Sequence, residues 1–190
     1  PGATEGIIVA GGNGSGSDLN QLDSIQDITV DDSGNIYIAD YDNKRVVKWE
    51  PNAIVGIECF TTETRPLTIT VDSLGYLYVS IRNNHALKRF VLSNGSYLSS
   101  IIMGTEDSSG SSLNELQGPR GTFIDTFGNI YLSDQYNDRI LKLNTSSEIT
   151  ISAGSTTGTF TMTGTDDSLN DNNESIIITP SSSILNGSNA

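Results

Sequence analysis

The chain has 190 residues, a formal net charge of −13 and 35% hydrophobic residues. A surface this acidic repels a phosphate backbone, and no Lys/Arg cluster offsets it, which argues against nucleic acid and anionic membranes as partners. Cys59 is the only cysteine, so an intrachain disulfide and a cysteine zinc site are ruled out, and no apolar run approaches the ~18 residues of a spanning helix.

Pro1-Gly2-Ala3 opens the chain with neither an initiator Met nor a charged-then-apolar leader, and reads as the start of a fragment or processed piece. A strand is expected at Ile7–Ala10, followed by a loose Gly/Ser/Asp loop that holds Leu19-Asn20. Short β-rich runs then follow at 28–30 and 36–39, separated by Asp31-Asp32-Ser33-Gly34-Asn35. Asp opens such a turn by accepting backbone N–H groups ahead of it, and Gly closes it with a positive φ. A third strand is expected at 45–49, alternating basic and apolar residues as an outer strand with one wet edge does, and a fourth at 54–57.

The same order returns twice. The run Val71-Asp72-Ser73-Leu74-Gly75-Tyr76-Leu77-Tyr78-Val79-Ser80 continues to a strand at 86–90, then one at 98–102. The run Ile124-Asp125-Thr126-Phe127-Gly128-Asn129-Ile130-Tyr131-Leu132-Ser133-Asp134 continues to strands at 139–143 and 149–152. Asp31 with Gly34, Asp72 with Gly75 and Asp125 with Gly128 are the turn-forming pairs. Val30 to Val71 is 41 residues and Val71 to Ile124 is 53, the length of one propeller blade. The expected class is all-β, a partial β-propeller of four-stranded antiparallel blades over 1–190. The blades fall at 22–58, 63–102 and 116–152, with a loop and the degenerate start of a fourth at 153–190, where Ile178 to Leu185 keeps the apolar–turn–apolar outline.

The pattern apolar-Asp-x-x-Gly-Asn-Ile-Tyr-Val-x-Asp-x-x-Asn-x-Arg-Ile resembles the NHL repeat over roughly Leu22 to Leu143, strongly in the first and third copies. The resemblance implies a six-bladed ring of which this chain is a fragment, its open faces covered by further blades of the same chain or by another subunit.

Asp40 with Arg45, and Asp134 with Arg139, are present together in two copies and replaced together by Ile81 and Ala86 in the other. Joint loss marks a structural ion pair across the turn between second and third strands, since one charge left alone at a half-buried strand end is costly. Asn43, Asn84 and Asn137 recur in that turn, as amides that bond their own backbone do. Tyr41, Asp42, Arg82, Asn83, Gln135 and Tyr136 vary from copy to copy, and variable polar and aromatic residues on a rigid rim form a candidate ligand face with the long loops. His85 is the only histidine and sits at an exposed turn position, so no Ser/His/Asp machinery and no metal or cofactor site is expected. Asp18, Asp23, Glu106, Asp107, Glu115, Asp166 and Asp167 in the long loops give calcium or a basic peptide a weak preference. The Asn-x-Ser/Thr sequons at Asn13, Asn94, Asn144, Asn173 and Asn186 are no more than chance gives in so Asn- and Ser-rich a chain.

These features point to a non-enzymatic binding scaffold for a protein or peptide. The alternatives are a hydrolase or lyase propeller whose metal site lies in blades beyond this segment, and an extracellular sensor or architectural domain.

Overall fold

A computed structural model describes residue 2 and residues 5–143 of the chain. The strand expected at 149–152 and the worn fourth copy lie outside the described residues. Two antiparallel sheets of four strands and one of three account for the regular structure. The first holds β1 (Ile25–Val30), β2 (Ile36–Asp40), β3 (Arg45–Trp49) and β4 (Ile57–Thr61), paired in chain order. The second repeats the order with β5 (Thr68–Val71), β6 (Leu77–Ile81), β7 (Ala86–Ser93) and β8 (Ser96–Gly104). The third holds β9 (Pro119–Ile124), β10 (Ile130–Asp134) and β11 (Arg139–Leu143). Single 3-10 turns at Arg82–Asn84 and Gln135–Asn137 are the helical structure among the described residues.

The Asp turns are built alike. Asp31 Oδ1 accepts the Ser33 and Asn35 amides at 3.0 and 2.9 Å while Gly34 takes a φ of 81°, a left-handed conformation that glycine adopts without a Cβ clash. Asp72 and Asp125 repeat those bonds. The Tyr37, Tyr78 and Tyr131 hydroxyls each donate to the second carboxylate oxygen of their own turn. Each turn thereby locks the register of the first two strands of its sheet.

Three expectations need correction. Ile7–Ala10 is not a strand, and Ile7 and Ile8 are largely exposed: Ala10 packs against Ile38, Val47 and Trp49, but no strand pairs with the segment among the described residues, and its exposed backbone groups are left to water. The fourth strand of the first sheet begins at Ile57, where the expected one ended, because Glu50–Gly56 is spent on the connection: Ala53 N donates to Glu50 O, and the Trp49 indole donates to Ala53 O. The third strands are interior rather than outer, flanked in the first two sheets by the second and fourth strands.

The sheets stack face to face, so adjacent residues of one strand are buried on opposite sides. Tyr37, Ala39 and Val46 meet Ile69, Leu77, Val79 and Phe90 between the first two sheets. Phe60 stacks on Phe90 there, with ring centroids 3.8 Å apart. Tyr78 and Leu87 meet Leu116, Ile130 and Leu132 between the second and third. Val46 and Leu87 are fully buried, each burial stabilising by about 1.5–3 kcal/mol. Ile140 holds the same strand position in the third sheet and is 67% exposed.

Candidate functional site

The antiparallel pairing brings the β2–β3, β6–β7 and β10–β11 turns, the starts of β1, β5 and β9, and the long loops to one end of the sheets. The Asp turns lie at the other end. Asp40 closes β2 directly opposite Arg45, which opens β3. Both are buried, and Arg45 Nε donates to Asp40 Oδ2 at 2.7 Å. The remaining guanidinium donors leave the turn: Nη1 bonds Ser17 O at 2.7 Å, and Nη2 bonds Asp18 O and Gln21 O at 3.1 Å. Asp40 Oδ1 accepts Asp23 N, and Asn43 Nδ2 donates to Asp40 Oδ2 and Gly16 O. The ion pair therefore clamps the loop that leads into its own sheet.

The third sheet repeats the arrangement atom for atom. Arg139 bonds Asp134, Ser111 O, Ser112 O and Glu115 O; Asn137 bonds Asp134 and Gly110 O; Asp134 accepts Gln117 N. Glu115 caps the loop by accepting the Ser112 amide, which holds its carboxyl below the usual range. In the second sheet the connection ahead of β5 is the short Thr62–Leu67, with no loop to clamp, and Ile81 and Ala86 are buried apolar residues at the paired positions. The recurring asparagines do not bond their own backbone as expected. Asn43 and Asn137 reach a loop carbonyl and the clamp carboxylate, while Asn84 donates to Glu106 and accepts from Thr64.

Four of the six variable rim residues, Tyr41, Asp42, Arg82 and Tyr136, are drawn into contacts between sheets. The Arg65 guanidinium lies over the Tyr41 ring, 5.2 Å from its centroid, and pairs with Asp42 at 2.8 Å. Arg82 lies over the Tyr136 ring at 5.3 Å and donates to the Tyr136 hydroxyl. Asn83 and Gln135 are exposed, and their side chains bond to nothing among the described residues. His85 is half-buried rather than free in solvent: its Nδ1 accepts the Gly118 amide at 3.1 Å, tying the second sheet to the approach to the third. Gly118 has a φ of 65°, and a Cβ there would fall 2.5 Å from the Tyr136 ring. Arg65 and Gly118 have no counterpart in the repeat pattern, so no periodic signal could have found them.

At the opposite end, Asp31, Asp72 and Asp125 border a cleft of about 350 Å³. Their carboxylates are engaged by their own turns. Burial works to raise the Asp31 carboxyl, but bonds from Asn35, Ser33 and Tyr37 outweigh it and hold it below the ordinary value. For Asp125 the bond from the Asn129 side chain dominates, with the same result. Among the described residues, no three His, Cys, Asp or Glu side chains are grouped to hold a metal ion, and no helix is long and apolar enough to cross a membrane.

Repeated four-stranded antiparallel sheets, stacked face to face and entered through loops at one end, are the blades of a β-propeller. The NHL repeat model matches residues 22–49, from the end of the clamped loop to the end of β3, so the chain carries an NHL repeat. Among solved structures it is similar to auxiliary nutrient binding proteins from Bacteroides thetaiotaomicron (TM-score 0.54, 15% identity, 67% of this chain and 35% of that one) and Bacteroides ovatus (0.52, 16%, 65% and 37%). It is also similar to virginiamycin B lyase from Staphylococcus aureus (0.51, 18%, 67% and 40%). The likeness is one of fold, in proteins of which this chain spans 35–40% of the length. Both binding proteins and a lyase are built on it. No curated protein matched the sequence.

Proposed function

We propose that the chain is part of a non-enzymatic binding scaffold that recognises a protein or peptide through the loop-bearing end of its sheets. One observation carries this reading: Arg45 and Arg139 hold the loops at 16–23 and 110–117 in one conformation, beside turns whose residues differ from sheet to sheet. A surface ordered in advance loses little entropy on association, and specificity then rests with the variable side chains. Tyr41, Asp42, Arg82, Asn83, Gln135 and Tyr136 supply that variation, and Tyr136 is 54% exposed. The further surface such a scaffold meets is the remaining blades, of the same chain or another subunit, on the open face around Ile140. The acidic balance suits a partner that is not a nucleic acid. Affinity capture with the full-length protein identifies the partner. Replacing Tyr41, Arg82 and Tyr136 together by alanine is expected to abolish its retention, and undiminished retention by that variant would remove the site from the rim.

A further inference from the structure

The tripeptide Asn-Gly-Ser stands at 13–15, 94–96 and 186–188, and the first two, which lie among the described residues, have different settings. At the first, Asn13 Nδ2 donates to Gly11 O and Asn20 O, and Gln21 Nε2 donates to Asn13 O. At the second, Asn94 and Gly95 form the two-residue tip of the β7–β8 hairpin, closed by the Ser93–Ser96 pair. Both have positive φ, 50° and 81°, as a tight hairpin turn demands. Both are exposed, and the Asn94 carboxamide bonds to nothing among the described residues. β7 and β8 are the longest described strands, so this tip stands clear of the sheets.

An asparagine followed by glycine carries its own nucleophile, because no side chain shields the next amide nitrogen. We propose that Asn94-Gly95 is a site of spontaneous deamidation and isomerisation, and that the hydrogen bonds of Asn13 protect its identical neighbour sequence. The Gly95 nitrogen attacks Asn94 Cγ, losing its proton as the C–N bond forms. The side-chain nitrogen leaves as ammonia, closing a five-membered imide. Water then opens the imide at either carbonyl, leaving aspartate or isoaspartate at position 94. Either product adds one negative charge. Isoaspartate also lengthens the main chain by one methylene inside a two-residue turn, and the Ser93–Ser96 pairing cannot accommodate it.

The test is ageing of the full chain in mildly alkaline buffer, followed by mass mapping of its Asn-Gly peptides, with Asn186-Gly187, outside the described residues, mapped separately. In the folded protein, conversion at Asn94 is expected to run about tenfold or more ahead of Asn13, the factor that two hydrogen bonds to be broken imply. In urea the two rates should converge, since the sequences are the same. Equal rates in the folded protein, or an Asn94 that reacts only once unfolded, would overturn the proposal. N94Q should delete the corresponding acidic band on isoelectric focusing; its survival would assign that band to another residue.

Discussion

Arg45 and Arg139 hold the same position in two sheets and make the same bonds, each spending one guanidinium nitrogen on an aspartate and the other two on three loop carbonyls. Between them lies a sheet that has neither the pair nor a long loop. The clamp and the loop come and go together, because a buried guanidinium without those carbonyls would keep unsatisfied donors.

Removing one partner of the clamp is expected to be severe. Arg45→Ala leaves the Asp40 carboxylate buried and unpaired and should cost about 3–5 kcal/mol in urea unfolding. Replacing both at once with the residues of the second sheet, Asp40→Ile with Arg45→Ala, should recover part of that loss. The loop at 16–21 should then become open to proteolysis in the double variant. Full recovery with an intact loop would show that the clamp does not hold it.

Gly118→Ala should destabilise by about 1–3 kcal/mol, from a side chain forced to positive φ and a clash with Tyr136. Combining it with Tyr136→Ala removes the clash and not the backbone strain. A double-mutant cycle on unfolding midpoints separates the two.

Acid should weaken the turns. Asp31 and Asp125 are held below their ordinary carboxyl value in the folded chain. Their contribution is therefore complete above the unfolded value of about 3.9 and is lost as pH falls through the lower folded value. Unfolding midpoints followed from neutral to strongly acidic pH should decline through that window, and less steeply in Asp31→Asn and Asp125→Asn variants.

Cys59 should be a slow thiol. Burial pushes it up to about 11, and the thiolate is the reactive form. Labelling by a disulfide reagent at neutral pH should lag well behind that of a free thiol and become prompt in denaturant. Immediate labelling of the folded chain would contradict the half-buried setting beside Tyr97.

Much of the architecture was legible because it repeats. Asp31, Asp72 and Asp125 with their glycines marked the turns, and the pairs at 40/45 and 134/139 marked the starts of the third strands. The strand bounds that went astray, at Ile7–Ala10 and Ile54–Ile57, belong to the fourth-strand position, whose copies share an apolar run but no Asp–Gly turn to fix its limits. A run of β-branched residues cannot report whether a neighbouring strand is there to accept its hydrogen bonds.

By itself, the order of residues determined the unit: local turn chemistry, alternation and spacing are properties of neighbours along the chain. Only the tertiary structure decided what the clamp holds, since its carbonyl partners at Ser17, Asp18 and Gln21 lie more than twenty positions away. It also decided that Tyr41 and Tyr136 face arginines and that His85 bonds Gly118. Those contacts form where two sheets meet, and the distance between atoms on separate sheets is set by packing rather than by any local sequence pattern.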